Sequence, residues 1–200
     1  MDRSLILSAA FLVGAYLAGS IPFGLLVAGM RGIDLRTVGS GNIGATNAMR
    51  ALGKPAGAAV LFLDAAKGAL PVGAARWLAA IDRAPAWLPA ACALAAVLGH
   101  CYPAWLRFRG GKGVATSLGV FIVLDPLATA ISAGLFAIVY AVRRVVSIGS
   151  LTAAIAFPIV LVILGRPIVL IVLSIATMLV IVVRHKDNIA RMRKGREART

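Results

Sequence analysis

Acidic side chains are scarce in this sequence: 7 Asp and Glu stand against 21 Lys and Arg in 200 residues. Carboxylates so few and so scattered exclude a paired-carboxylate or two-metal centre. Histidine is rarer still, with His100 and His185 alone, and no Gly-x-Ser-x-Gly turn presents a nucleophile. Any chemistry therefore has to rest on positioning and on stabilisation by cations and backbone amides. Cys92 and Cys101 share one apolar segment. They imply neither a disulfide framework nor a metal site, and read as helix packing.

Charge of either sign is thin as well. Charged residues are 14% of the chain and hydrophobic ones 60%, where a soluble domain is about a quarter charged. With a mean hydropathy of +0.94, the chain cannot cover itself with polar surface in water. The expected fold is all-α, a polytopic integral membrane helix bundle forming one domain over residues 1–200. Apolar segments fall at about 4–30, 55–80, 87–106, 114–124, 126–142, 148–165 and 167–183. Most approach the roughly 17–25 residues a helix needs to cross hydrocarbon, which predicts about seven transmembrane helices. The fourth is short enough to be a half-span, or to fuse with its neighbour around Asp125–Pro126. The first is too long for the core of a secretory signal and lacks a basic flank beyond Arg3, so no cleaved leader is expected.

The cations set the orientation. With seven crossings, all of the 21 Lys and Arg except Arg3, Arg76, Arg83 and Arg166 fall on one side. The positive-inside rule places that side, and the C-terminus, in the cytoplasm and the N-terminus outside. Ile81–Pro85 and Asp125–Pro126 then read as external turns. A formal charge of +14 would suggest nucleic acid in a soluble protein. Here it reads as orientation and contact with anionic headgroups, and no nucleic-acid partner is expected.

Polar residues cluster in four strings on the cationic side. DLRTVGSGNIGATNAMRALGK, Asp34–Lys54, interleaves glycines with Ser40, Asn42, Thr46 and Asn47. Consecutive glycines can turn backbone N–H groups toward a common centre, an anion-binding nest. A helix starting near Ala45 would aim its free amides at the same point, with Arg50 just over one turn in; the plainer reading is a flexible turn with an Asn cap. RFRGGKGVATSL, Arg107–Leu118, is not a nucleotide P-loop, because Leu106 and Gly113 stand where that motif needs Gly and Ser or Thr. It can still hold one phosphate through backbone amides, Lys112 and Thr116. The third string, RRVVSIGSLT, Arg143–Thr152, offers Ser147 and Ser150 at a span entrance, where Ser147 could equally be an N-cap. The fourth is RHKDNIARMRKGREA, Arg184–Ala198. Its His185, Asn188 and Arg191 would line one helix face, and Glu197 follows; a solvated basic tail would look similar. Within the second span, Asp64 and Lys67 either pair structurally or face a polar cavity.

GSIPFG, LRTVGSGNIGATNAMRALGK, GHCYPAWLRFRGGKGVAT and RHKDNIARMRKGRE closely resemble, in order and spacing, the motifs of the bacterial acyl-phosphate:glycerol-3-phosphate acyltransferase family. The likeness runs from about Tyr16 to Glu197. The His-x4-Asp signature of soluble-type glycerolipid acyltransferases is absent. The resemblance implies a seven-helix inner-membrane enzyme, cytoplasmic at its active site, that uses acyl phosphate to acylate the 1-hydroxyl of sn-glycerol 3-phosphate. Lysophosphatidate and phosphate are the products, in the first acylation of phospholipid synthesis. On that basis Ser40, Arg50, Lys112, His185, Asn188 and Glu197 are expected to carry the reaction. Substrate binding is expected from Arg36, Gly41, Asn42, Gly44, Thr46 and Asn47, from Lys67, His100, Gly110, Gly111, Gly113 and Thr116, and from Ser147 and Ser150. Partners are the two substrates and membrane lipids; no metal, cofactor or obligate protein partner is expected. A transporter for a phosphorylated solute would instead need midplane charges and a repeat. A basic lipid-binding scaffold would explain the cations but not the Gly/Asn/Thr strings.

Overall fold

The structure, a computed structural model, describes residues 3–81 and 83–199; Met1, Asp2, Thr200 and Asp82 of the expected Ile81–Pro85 turn lie outside them. The first apolar segment folds as two helices, α1 (Arg3–Gly19) and α2 (Phe23–Gly29). Pro22 separates them, since proline removes a ladder N–H and clashes with the preceding turn. The freed carbonyls find partners elsewhere: Trp105 Nε1 donates to Ser20 O at 3.0 Å and Lys67 Nζ to Ile21 O at 2.6 Å.

Next come α3 (Ala45–Leu52), α4 (Lys54–Ala80) and α5 (Leu88–Cys101). α5 stops short of the expected segment end because the residue before Pro103 is pushed out of helical conformation; a 3-10 turn at Ala104–Leu106 follows. α6 (Val114–Leu124) and α7 (Pro126–Arg143) meet at Asp125, whose carboxylate accepts from Ala128 N at 3.0 Å and so caps α7. α8 (Val146–Ile163), α9 (Ile168–Arg184) and α10 (Lys186–Arg193) complete the chain, with a bend of 58° between the last two.

Among the described residues, 5 helical segments are long and apolar enough to cross a membrane, or 6 if α9 and α10 form one broken span. α6, at 11 residues, reaches only about 16 Å, against about 30 Å of hydrocarbon. The expected seven therefore requires α6 to serve as a pass despite its length.

Small residues let these helices touch backbone to backbone, as membrane bundles require when no water drives them together. A Cβ on Gly119 of α6 would lie 1.9 Å from Ala65 O of α4, and one on Gly99 of α5 would lie 2.2 Å from Tyr16 O of α1. The outward faces carry large apolar groups such as Phe62, Trp77, Ile138 and Val172. At one end of the bundle Arg166 Nε meets Asp125 Oδ2 at 2.5 Å, and Arg76 donates to the Val123 carbonyl. The glycine-rich strings gather at the other end.

Candidate active site

The Gly39–Asn47 loop is folded around one side chain. Asn47, at the start of α3, accepts from Ser40 N at 3.0 Å and donates Nδ2 to Leu35 O and Val38 O, each at 3.0 Å. Gly39 and Gly41 adopt φ of +58° and +68°, a region that strains other residues. Asn42 Oδ1 accepts from Gly44 N at 2.8 Å, an Asx turn leading into the helix. Asn47 thus spends its amide on backbone and presents Ser40, Asn42 and Thr46 rather than reaching outward itself.

The Lys112 loop lies on the end of α5. Gly110 N and Gly111 N donate to Cys101 O and His100 O, and a Cβ on Gly111 would sit 2.0 Å from His100 Nε2. From the other side Arg184 donates to the carbonyls of Gly111 (2.9 Å) and Gly110 (2.5 Å), its guanidinium 5.2 Å from the Tyr102 ring centroid. Arg184 was not among the expected site residues. Its position in a basic run gave no sign of a clamp that closes over 70 residues earlier.

Lys112 Nζ donates to Asn188 Oδ1, and Asn188 Nδ2 in turn donates to Glu197. Glu197 also accepts from Ser147 Oγ at 2.7 Å and Arg191 Nε at 2.7 Å. Burial pushes the Glu197 carboxyl up, but these three donors outweigh it and hold it below its ordinary range. Lys112 moves the other way: burial lowers it to about 8 despite the Glu197 charge. His185 lies at the bend between α9 and α10 with Nδ1 2.8 Å from Ile181 O. Burial first, and then the Lys112 charge, lower it to about 4, so it is neutral at physiological pH.

A cavity of about 460 Å³ opens among these groups. Ser40, Asn42, Gly44, Thr46, Asn47 and Arg50 line it from the first string, and Lys112 and Gly113 from the second. Ser147 and Ser150, then His185, Asn188 and Glu197, with His100 beneath, complete it. A second space of about 460 Å³ adjoins it through Ser40, Asn42, Lys112 and Asn188, and there Arg36, Gly41 and Gly110 are found. Its wall is cationic, with Arg109, Arg184, Lys186 and Arg191 against Asp187. Three expected residues line neither. Lys67 is buried in an ion pair with Asp64 at 2.6 Å, Gly111 is pressed against His100, and Thr116 faces Gly68 of α4. Asp64 both pairs with Lys67 and faces the first cavity.

An apolar slot of about 230 Å³ adjoins the first cavity and shares Leu61, Val114, Ala115, Phe136 and Ser150 with it. A cationic, amide-rich chamber joined to an uncharged slot suits a molecule with an anionic head and a hydrocarbon tail.

Residues 9–195 match the family model described as glycerol-3-phosphate acyltransferase. The protein of that name from Myxococcus xanthus (strain DK1622) is 49% identical over 193 residues, 96% of this chain and 98% of its own. Its namesake from Anaeromyxobacter sp. (strain Fw109-5) is 46% identical over 196 residues, 97% of each. The crystal structure of PlsY, an integral membrane glycerol 3-phosphate acyltransferase, in its glycerol 3-phosphate form matches with a TM-score of 0.91 at 42% identity, over 96% of this chain and 95% of that one. The lysophosphatidic acid form matches with a TM-score of 0.89 at 41% identity, over 96% and 94%.

Proposed function

This chain belongs to the glycerol-3-phosphate acyltransferase family, and on that premise we propose that it transfers an acyl group from acyl phosphate to the 1-hydroxyl of sn-glycerol 3-phosphate. Its apolar helices and its integral-membrane relatives make it a multi-pass membrane protein. The observation that carries the reading is the apolar slot set directly against the polar cavity, with five wall residues in common. The acyl chain takes the slot, and the phosphoryl head faces Ser40, Asn42, Thr46 and Arg50. Ser147 and Ser150 lie near the junction of the two. Glycerol 3-phosphate comes in through the adjoining cationic space, and Lys112 holds its phosphate. The cation-rich end faces the cytoplasm of a bacterial inner membrane.

The 1-hydroxyl oxygen attacks the acyl carbonyl carbon. A new ester C–O bond forms, the anhydride C–O bond breaks, and phosphate leaves with the bonding pair. A mixed anhydride has a good leaving group, so no covalent enzyme intermediate is required. His185 is a weak acceptor for the hydroxyl proton, because burial lowers its pKa to about 4. The proton passes instead to a substrate phosphate oxygen. Glu197 is engaged by Ser147, Asn188 and Arg191 and braces Asn188 against Lys112.

Purified protein in liposomes, given glycerol 3-phosphate with acyl phosphate, acyl-CoA or acyl carrier protein in parallel, tests this. Lysophosphatidate and phosphate should appear in equal amounts with acyl phosphate alone. Product from acyl-CoA would refute the donor. Glycerol 3-phosphate flux without product would favour a transporter.

A further inference from the structure

The apolar slot is built in layers. Val114, Leu118 and Phe121 of α6 line it, as do Ser150, Ala154 and Phe157 of α8. Each set ends seven residues from where it begins, about two helical turns. α7 and α9 repeat the interval, from Phe136 to Thr129 and from Ile181 to Ser174. The first layer opens on the polar cavity, since Val114, Phe136 and Ser150 line both. The last layer carries Phe121 and Phe157, buried rings with centroids 4.3 Å apart.

We infer that the Phe121–Phe157 pair is the end-stop of the acyl slot, so that the protein measures the proximal part of the chain and leaves the remainder to lipid. The inference rests on the acyl-transfer reading. Two turns give a depth of about 10 Å. An extended chain advances about 1.2 Å per bond, so eight or nine carbons fill it. A longer chain meets the rings and turns outward past Ala133, a lining residue on the exposed side of α7. Lipid tails are as apolar as the slot wall, so carbons beyond the stop gain nothing from further length.

Saturated acyl phosphates of graded length, at fixed mole fraction in mixed micelles, read the stop. In the wild type, kcat/KM should climb to about ten carbons, the slot's capacity plus the carbonyl end, and then level off. Phe157→Ala should move that break about three carbons longer, into the room six ring carbons leave. Ala154→Phe, placing a ring one turn nearer the mouth, should move it about four carbons shorter. Phe121→Leu stands in for Phe157→Ala if that variant does not fold. A break at one length in every variant overturns the end-stop. Binding of lysophosphatidates of graded length reads the slot without turnover. No turnover with any acyl phosphate, together with a binding break that shifts in the variants, refutes the donor and supports the stop. A binding break that stays put refutes the stop whatever the donor.

Discussion

Lys112 is the cation on which the acceptor side of the proposed reaction depends. Burial lowers its pKa to about 8; the Glu197 carboxylate opposes that and Arg191 reinforces it. The ammonium is therefore charged below about pH 8 and neutral above. A phosphate monoester is already a dianion above about pH 6, so the substrate contributes no alkaline limb. We expect kcat/KM for glycerol 3-phosphate to be full near neutrality and to fall through a midpoint close to pH 8. Lys112→Arg should carry the limb beyond the measurable range, because a guanidinium does not deprotonate there. Lys112→Ala should raise KM by about 10- to 100-fold, the value of a charge-assisted hydrogen bond. An alkaline limb that stays put in Lys112→Arg, or a KM unchanged in Lys112→Ala, removes Lys112 from the phosphate. Asn47 makes a contrasting case. It reads in sequence as a phosphate ligand, yet its amide is spent on Leu35, Val38 and Ser40. A side chain's hydrogen-bonding capacity is legible from its type, but where that capacity is used depends on neighbours the chain has still to bring together.

Among the helices that line the slot, α6 packs most closely on α4. α6 is too short to span on its own, and it is held by contact with α4 at Gly119 and Gly68 rather than by length. Gly119→Leu would drive a side chain into Ala65 O, so we expect a loss of about 1–3 kcal/mol, seen as a lower Tm in detergent. Gly134→Leu on α7 should not lower Tm, since nothing lies within 4 Å of that position and Leu is the better helix former. Equal losses in the two variants would mean that close approach at Gly119 is not what the substitution disturbs. The start of α3 at Ala45 follows from the turn residues before it, and the structure agrees with that expectation. The early end of α5 could have been read from Pro103. The clamp of Arg184 on the Gly110–Gly111 carbonyls could not, for it depends on how α9 and α5 pack.

At the scale of the molecule, charge and shape divide between two ends. Arg76, Asp125 and Arg166 are fastened at one; Arg50, Lys112, Glu197 and the glycine strings meet at the other. Single-cysteine labelling decides which end faces the cytoplasm. Cys92 and Cys101 are buried and should stay silent to an impermeant maleimide. Arg83→Cys should react in intact cells and Arg109→Cys only after permeabilisation. The reverse pattern would invert the orientation drawn from the cations.

Hydropathy, proline and glycine are properties of consecutive residues, and from them alone this chain is all-helical, built of membrane-length apolar segments, with its polar strings on one side. The family likeness lay in the same short strings. Only the tertiary structure decided that those strings share one chamber, that an apolar slot carrying two phenyl rings adjoins it, and that Lys67, Gly111 and Thr116 line neither. Those features are made by residues far apart in the chain, as where Ser147 meets Glu197 50 positions on and Arg50 reaches Ala198 across 148. No local pattern encodes which surfaces meet at such separations.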